Sequence, residues 1–208
     1  MKFKIIFLGI LIAQTLLSLG CVSMSTLQTA RTLEPNQTQQ SFGGGVYNSK
    51  IESGGSSIET NLPYMEYSIR HGFLKDLDAG LKLTIVGAYQ ADMKYQLLES
   101  SHFVMSVGAG LAYMEYKITS GQQDTKVKYI DAIVPFYLSY DFNPSFSLYM
   151  SPKYILRTAS GDTSGTENLY GAGLGTKIGE KNGIYLEAAI IKGQSDTSIT
   201  QYNFSYFW

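Results

Sequence analysis

The chain has one cysteine, Cys21, among its 208 residues. That excludes an intramolecular disulfide and a thiolate metal cluster. Histidine is nearly as scarce, with only His71 and His102. No group of histidines, cysteines and carboxylates has metal-ligand spacing, so no metal or cofactor is expected. Neither charge sign dominates, with 16 Lys and Arg against 17 Asp and Glu, which leaves no electrostatic case for nucleic acid. No segment holds a sustained helical period. The one long apolar run, Ile5 to Leu19, is broken by Gln14, Thr15 and Ser18, and it is too short for a comfortable transmembrane helix.

What the chain does have is glycine (21) and tyrosine (16), and alternation of period two. The last stretch shows it best. Tyr202, Phe204, Tyr206 and Trp208 alternate with Asn203 and Ser205, so a strand puts all four aromatics on one face. Such a face is sticky in water and suits a strand whose outer side meets lipid. Similar alternation recurs in segments 39–47, 61–72, 79–86, 89–97, 103–116, 127–140, 146–157, 168–178 and 184–191. Most are near the roughly 9–11 residues that a tilted strand needs to cross a bilayer. Pro135 weakens the sixth.

Short turns at 75–78, 99–102, 142–145 and 180–183 alternate with mostly longer polar links around 48–60, 118–126, 158–167 and 192–199. That is the connection pattern of an outer-membrane barrel. The expected fold is all-β: a single antiparallel transmembrane β-barrel of about ten strands, over residues 39–208. The link at Gly87-Ala88 is nearly too short for an outer loop, which leaves eight strands as the alternative. A soluble β-sandwich also alternates; the turn pattern and the N-terminus favour the barrel.

Facing the apolar sets, in mid-strand, are charges of both signs: Glu66, Arg70, Lys82, Asp92, Lys94, Asp131, Lys153, Lys177 and Glu187. In a barrel they point into the lumen, where they must be paired or hydrated. Gly108, Gly110, Gly171, Gly173 and Gly175 lie on the same face and make room for larger neighbours. A barrel of this size is about filled by its own side chains. The expected interior is therefore plugged, with a narrow polar pore as the alternative.

Lys2 and Lys4, the apolar run and small residues at Ser18 and Gly20 form a secretory signal peptide over residues 1–20. Residues 21–38 are polar and aperiodic, and read as a periplasmic tether. Leu17-Ser18-Leu19-Gly20-Cys21 resembles a bacterial lipobox, although Ser18 stands where a leucine is usual. The resemblance implies acylation of Cys21 and lipoprotein-processing enzymes as partners. Ordinary cleavage after Gly20 is the alternative. Met24 to Pro35 looks like the leader that precedes the first strand in small, uncharacterised outer-membrane barrel proteins, several of them predicted lipoproteins. The Tyr202–Trp208 strand resembles the terminal signal strand of bacterial outer-membrane barrels. That resemblance implies the barrel-assembly machinery as a partner, beside outer-membrane lipid.

No catalytic residue is expected. Outer-membrane barrel enzymes generally set a histidine near the outer rim, with an acid or serine beside it. His71 and His102 fall at predicted periplasmic turns, the opposite end. Gly171-Ala172-Gly173-Leu174-Gly175 lacks G-x-G-x-x-G spacing and a following helix, so it reads as strand packing. The run 161–167 reads as a solvated loop. The functional expectation is a non-catalytic outer-membrane barrel with a structural or surface role. A narrow channel and ligand binding through loops 48–60, 118–126 and 158–167 stand as alternatives.

Overall fold

Once bulky apolar residues alternate with small and polar ones over every segment, a sheet can satisfy all its backbone groups only by pairing its two edges. The computed structural model shows that outcome. It describes residues 24–53, 56–85, 87–120, 123–161, 164–193 and 197–208. The strands are β1 (Thr38–Ser53), β2 (Ser56–Leu74), β3 (Leu77–Thr84), β4 (Tyr89–Ser100), β5 (Phe103–Ser120), β6 (Gln123–Asn143), β7 (Phe146–Gly161), β8 (Gly165–Gly179), β9 (Gly183–Gly193) and β10 (Thr197–Phe207). Each pairs antiparallel with its chain neighbours, and β1 pairs with β10, giving a closed ten-stranded barrel. Ten strands, not eight, is therefore the count. The short link after β3 closes as a tight turn, with Thr84 Oγ1 accepting from the Ala88 N–H at 3.0 Å and Gly87 at φ 85°.

Pro135 lies inside β6 and does not end it. Its partner in β7 is Lys153, while the ladder to β5 skips the positions beside it and resumes in the same register. The missing N–H costs local hydrogen bonds and leaves the register intact.

Both described ends of the barrel wall, Thr38 of β1 and Trp208, lie at the end of the barrel that carries the short turns. Outward-facing side chains form an apolar belt including Met65, Leu83, Leu111 (61% exposed), Leu174 (65%), Ile190 and Phe204. Aromatics border it at both ends. Near the short turns Tyr140 meets Phe142 edge-on and Phe142 lies tilted against Phe146, and at the same end Tyr206 stacks on Trp208. Tyr154 meets Tyr170 toward the longer links. An apolar belt between aromatic girdles is the lipid-facing surface of a transmembrane barrel. Tyr202, Phe204, Tyr206 and Trp208 all stand on this outer face, while Gln201, Asn203, Ser205 and Phe207 are buried inside.

The interior is divided. Toward the longer links it is mainly apolar, with Tyr47, Leu62, Met114, Ile133, Ile155, Leu169, Ile191 and Ile199 in one cluster beside the buried Asp131. Toward the short turns it is polar and charged. The expected tether, residues 21–38, is corrected here for its described part. Met24 to Ala30 are buried, apart from a half-buried Gln28, and they lie inside the barrel. The segment has no ladder partner and so is not an eleventh strand. It hydrogen-bonds to lumen side chains of β2, β3, β4, β5, β7 and β9. The physical reason is charge: a lumen rich in buried ions needs polar partners, and a hydroxyl-rich, aperiodic peptide supplies them from its main chain.

Candidate functional site: the lumen and its internal segment

All nine charges expected in the lumen face the interior, buried or half-buried. Eight of them fall into three groups. Nearest the short turns, the Arg70 guanidinium of β2 bonds both Asp78 of β3 and Asp92 of β4. Lys94 of β4 lies 3.6 Å from Asp78. At mid-barrel, Lys82 stands 3.8 Å from Glu66, and Lys153 and Glu187 project from β7 and β9. Toward the longer links, Arg157 makes a two-pronged pair with Asp131 at 2.9 and 2.7 Å and covers the Tyr129 ring at 5.3 Å. Lys177 stands apart, 5.5 Å from the Phe207 ring.

The first two groups hold the internal segment by its main chain. Lys153 Nζ donates to the Met24 carbonyl at 2.6 Å, and Lys82 Nζ to the Ser25 carbonyl at 2.7 Å. The Glu187 carboxylate accepts two successive N–H groups, those of Thr26 at 2.9 Å and Leu27 at 3.1 Å. Lys94 Nζ donates to the carbonyls of Thr29 and Arg31, both at 2.9 Å. Ser106 donates to the Ala30 carbonyl. Gln96 accepts from the Thr32 N–H at 3.1 Å, and Asp78 from the Leu33 N–H at 3.0 Å. Every residue from Met24 to Leu33 except Gln28 is held in this way. Leu27 takes the left-handed conformation, φ 44°, which is uncommon for a branched residue. The pair of N–H bonds to Glu187 holds it there.

Side chains add a few fixed points. Ser25 Oγ donates to Glu66 at 2.8 Å. Thr26 Oγ1 accepts from Ser151 at 2.8 Å and from Lys153 at 2.7 Å. Leu27 enters an aromatic cluster of Tyr149, Tyr185 and Phe207. Ala30 packs on Val104 and Tyr137, and Met24 joins the apolar cluster above. Small wall residues make the space. A Cβ on Gly175 would stand 2.3 Å from the Tyr149 ring, and one on Gly173 2.9 Å from Ser151 Oγ.

At the mouth beside the short turns, Arg31 bridges Glu99 at 2.5 Å and Asp141 at 2.8 Å. Partial burial disfavours its charge, but the hydrogen bonds and charges of Glu99 and Asp141 outweigh this and hold the guanidinium above its ordinary pKa. A vestibule of about 390 Å³ opens there, lined by Thr29, Arg31, His102, Asp141, Lys177 and Glu180 among others. Deeper in, the gap between Thr26–Gln28 and Arg70, Lys82 and Asp92 is about 30 Å³, near the share of one water molecule.

Both histidines lie beside the short turns, each in contact with a hydrogen-bond partner. His71 Nδ1 lies 2.7 Å from the Thr38 hydroxyl, and His102 Nδ1–H donates to the Asp141 carbonyl at 2.8 Å. Among the described residues no group of three or more His, Cys, Asp or Glu side chains could hold a metal ion. Cys21 and residues 1–20 lie outside the described residues, as do Asp162 and Thr163 of the run 161–167.

Asp78 and Arg157 complete the lumen networks and were not among the nine charges. Their signal was available in the parity of the chain: Asp78 shares a face with Lys82, and Arg157 with Lys153. The internal segment had no such signal, since its main chain makes the contacts.

No family model matches the chain, and no curated protein does. Among solved structures the barrel is similar to an outer membrane channel from Pseudomonas putida F1. The identity is 10% and the TM-score 0.52, over 88% of this chain and 98% of that one. It also aligns with the outer membrane protease OmpT of Escherichia coli, at 11% identity and a TM-score of 0.42, over 86% and 98% of the two chains. The attachment invasion locus protein Ail of Yersinia pestis aligns at 16% identity and a TM-score of 0.36, over 85% and 100%. At such identities, the likeness to the channel shows the fold alone.

Proposed function

We propose that this chain is a non-catalytic outer-membrane β-barrel whose lumen is closed by its own N-terminal segment. The observation that carries this reading is the capture of Met24–Leu33 by Lys153, Lys82, Glu187, Lys94 and Asp78. Those ions would otherwise line a polar passage. With the segment seated, the space between Thr26–Gln28 and the β1–β4 wall is a gap of about 30 Å³, close to the share of one water molecule. The apolar belt and aromatic girdles support insertion in a bilayer, and the even strand number puts both ends of the wall on the side where a periplasmic approach would bring them. Outer-membrane lipid and the barrel-assembly machinery, reading Tyr202, Phe204, Tyr206 and Trp208, are the partners this location calls for.

The test is single-channel recording of the intact, folded chain in a planar bilayer. Insertion, followed by heat-modifiable gel mobility, without discrete current steps is the expected result. Reproducible steps from the intact chain would sink the closed-lumen reading and favour a channel.

Acylation of Cys21 is part of the same proposal. It rests on the lipobox-like residues Leu17 to Gly20. Cys21→Ala is expected to abolish incorporation of labelled fatty acid, with the barrel still folding; label retained by the variant rejects acylation.

A further inference from the structure

We infer that the lumen is a peptide receptor: a cradle that recognises the main chain of an irregular segment and accepts a matching peptide that is not covalently joined to the barrel. This rests on the closed-lumen reading and goes beyond it, because a plug need only fill space, whereas this lumen binds. The buried ions are the first reason. Lys153, Lys82 and Glu187 are directed at carbonyl and N–H groups of the segment rather than only at one another, and Lys82 and Glu66 remain 3.8 Å apart. Charge-assisted bonds to main-chain groups are available to any peptide in the right conformation, as in other modes where backbone contacts give affinity and pockets give specificity.

The second reason is the pocket spacing. Met24, Leu27 and Ala30 each enter a different apolar cluster, so the wall reads an apolar residue at every third position. Between them it accepts small hydroxyl residues, Ser25 and Thr26, through Glu66, Ser151 and Lys153. The third reason is access. The segment reaches β1 through an exposed stretch, Glu34 to Gln37, fixed by a turn in which the Gln37 N–H donates to the Glu34 carbonyl. The vestibule at the same end leads in as far as Thr29 and Arg31. The ligand class is therefore an uncharged-to-basic peptide that can take the left-handed conformation at its second apolar residue, with apolar residues three apart and small hydroxyl residues between them.

The test uses the full chain with a protease recognition sequence inserted between Asn36 and Gln37. After folding in detergent the turn is cut, and a fluorescent synthetic peptide of residues 22–34 is added. Saturable uptake, read by anisotropy and competed by the unlabelled peptide, is expected. A Leu27→Lys peptide should bind at least about ten-fold more weakly, as loss of one buried leucine implies. A Thr29→Ala peptide should stay within about three-fold, since the bond to Lys94 uses only the Thr29 carbonyl. Glu187→Gln in the barrel should weaken uptake about ten-fold. Two outcomes overturn the receptor: a cut segment that neither leaves nor exchanges below the unfolding temperature, or a scrambled peptide that binds as well as the native one. Either leaves the closed lumen standing, because that reading falls only if the uncut chain conducts.

Discussion

Asp78→Ala is expected to lower the stability of the folded barrel by about 3–5 kcal/mol, the cost of removing one partner from a buried ion cluster. The carboxylate is fully buried and serves Arg70, Lys94 and the Leu33 N–H together. Alanine takes from Arg70 one of its two carboxylates, from Lys94 its neighbouring carboxylate, and from the Leu33 N–H its acceptor. Asn at the same position keeps an acceptor for Leu33 and removes the charge, so it should fall between wild type and alanine. Urea unfolding in micelles, followed by heat-modifiable gel mobility, reads all three. An unchanged midpoint for Asp78→Ala would mean that Arg70 and Lys94 are hydrated, and that the ions do not form the cluster described.

Gly43→Val is expected to stop the barrel from closing. Gly43 lies on the β1–β10 seam, opposite Ser205. A Cβ there would stand 2.1 Å from the Phe204 carbonyl oxygen and 2.5 Å from the Ser205 Cα. Overpacking usually costs about 1–3 kcal/mol because side chains give way; here the obstacle is the backbone of the closing strand, so the seam itself must open. The measurement is protease resistance and gel mobility of the refolded chain, with loss of the compact, heat-modifiable band expected. Gly165→Val is the control, because a Cβ there meets nothing within 4 Å, and it should fold normally. Normal closure of the Gly43 variant would place the seam in another register.

The barrel was legible in the sequence because its rule is local. Period two on β4 puts Tyr89, Met93 and Tyr95 outward, and the same rule turns Lys94 inward. Strand ends were harder. β1, β2 and β6 run several residues past the alternating core, since antiparallel pairing continues into the connecting hairpins. The apolar half of the lumen was also not legible. Ile133, Ile155 and Ile191 have the parity of the polar face, and only the closed sheet brings them together. The segment 24–33 was least legible of all. Patterns in side chains report on side-chain burial, and this segment is held by groups that every residue shares. Its apolar residues at every third position fit neither the strand nor the helix template.

The cradle also has a consequence for the order of assembly. Asp78 and Lys82 come from β3 and Glu187 from β9, so the holding groups stand in place only after the chain has travelled nearly all the way round the barrel. The seam that completes the wall joins Ser41 to Phe207, a pairing of very high sequence separation, and such contacts form slowly. Residues that leave the ribosome before any strand thus find their partners after nearly all of them. Docking of the segment is therefore expected to follow formation of most of the wall.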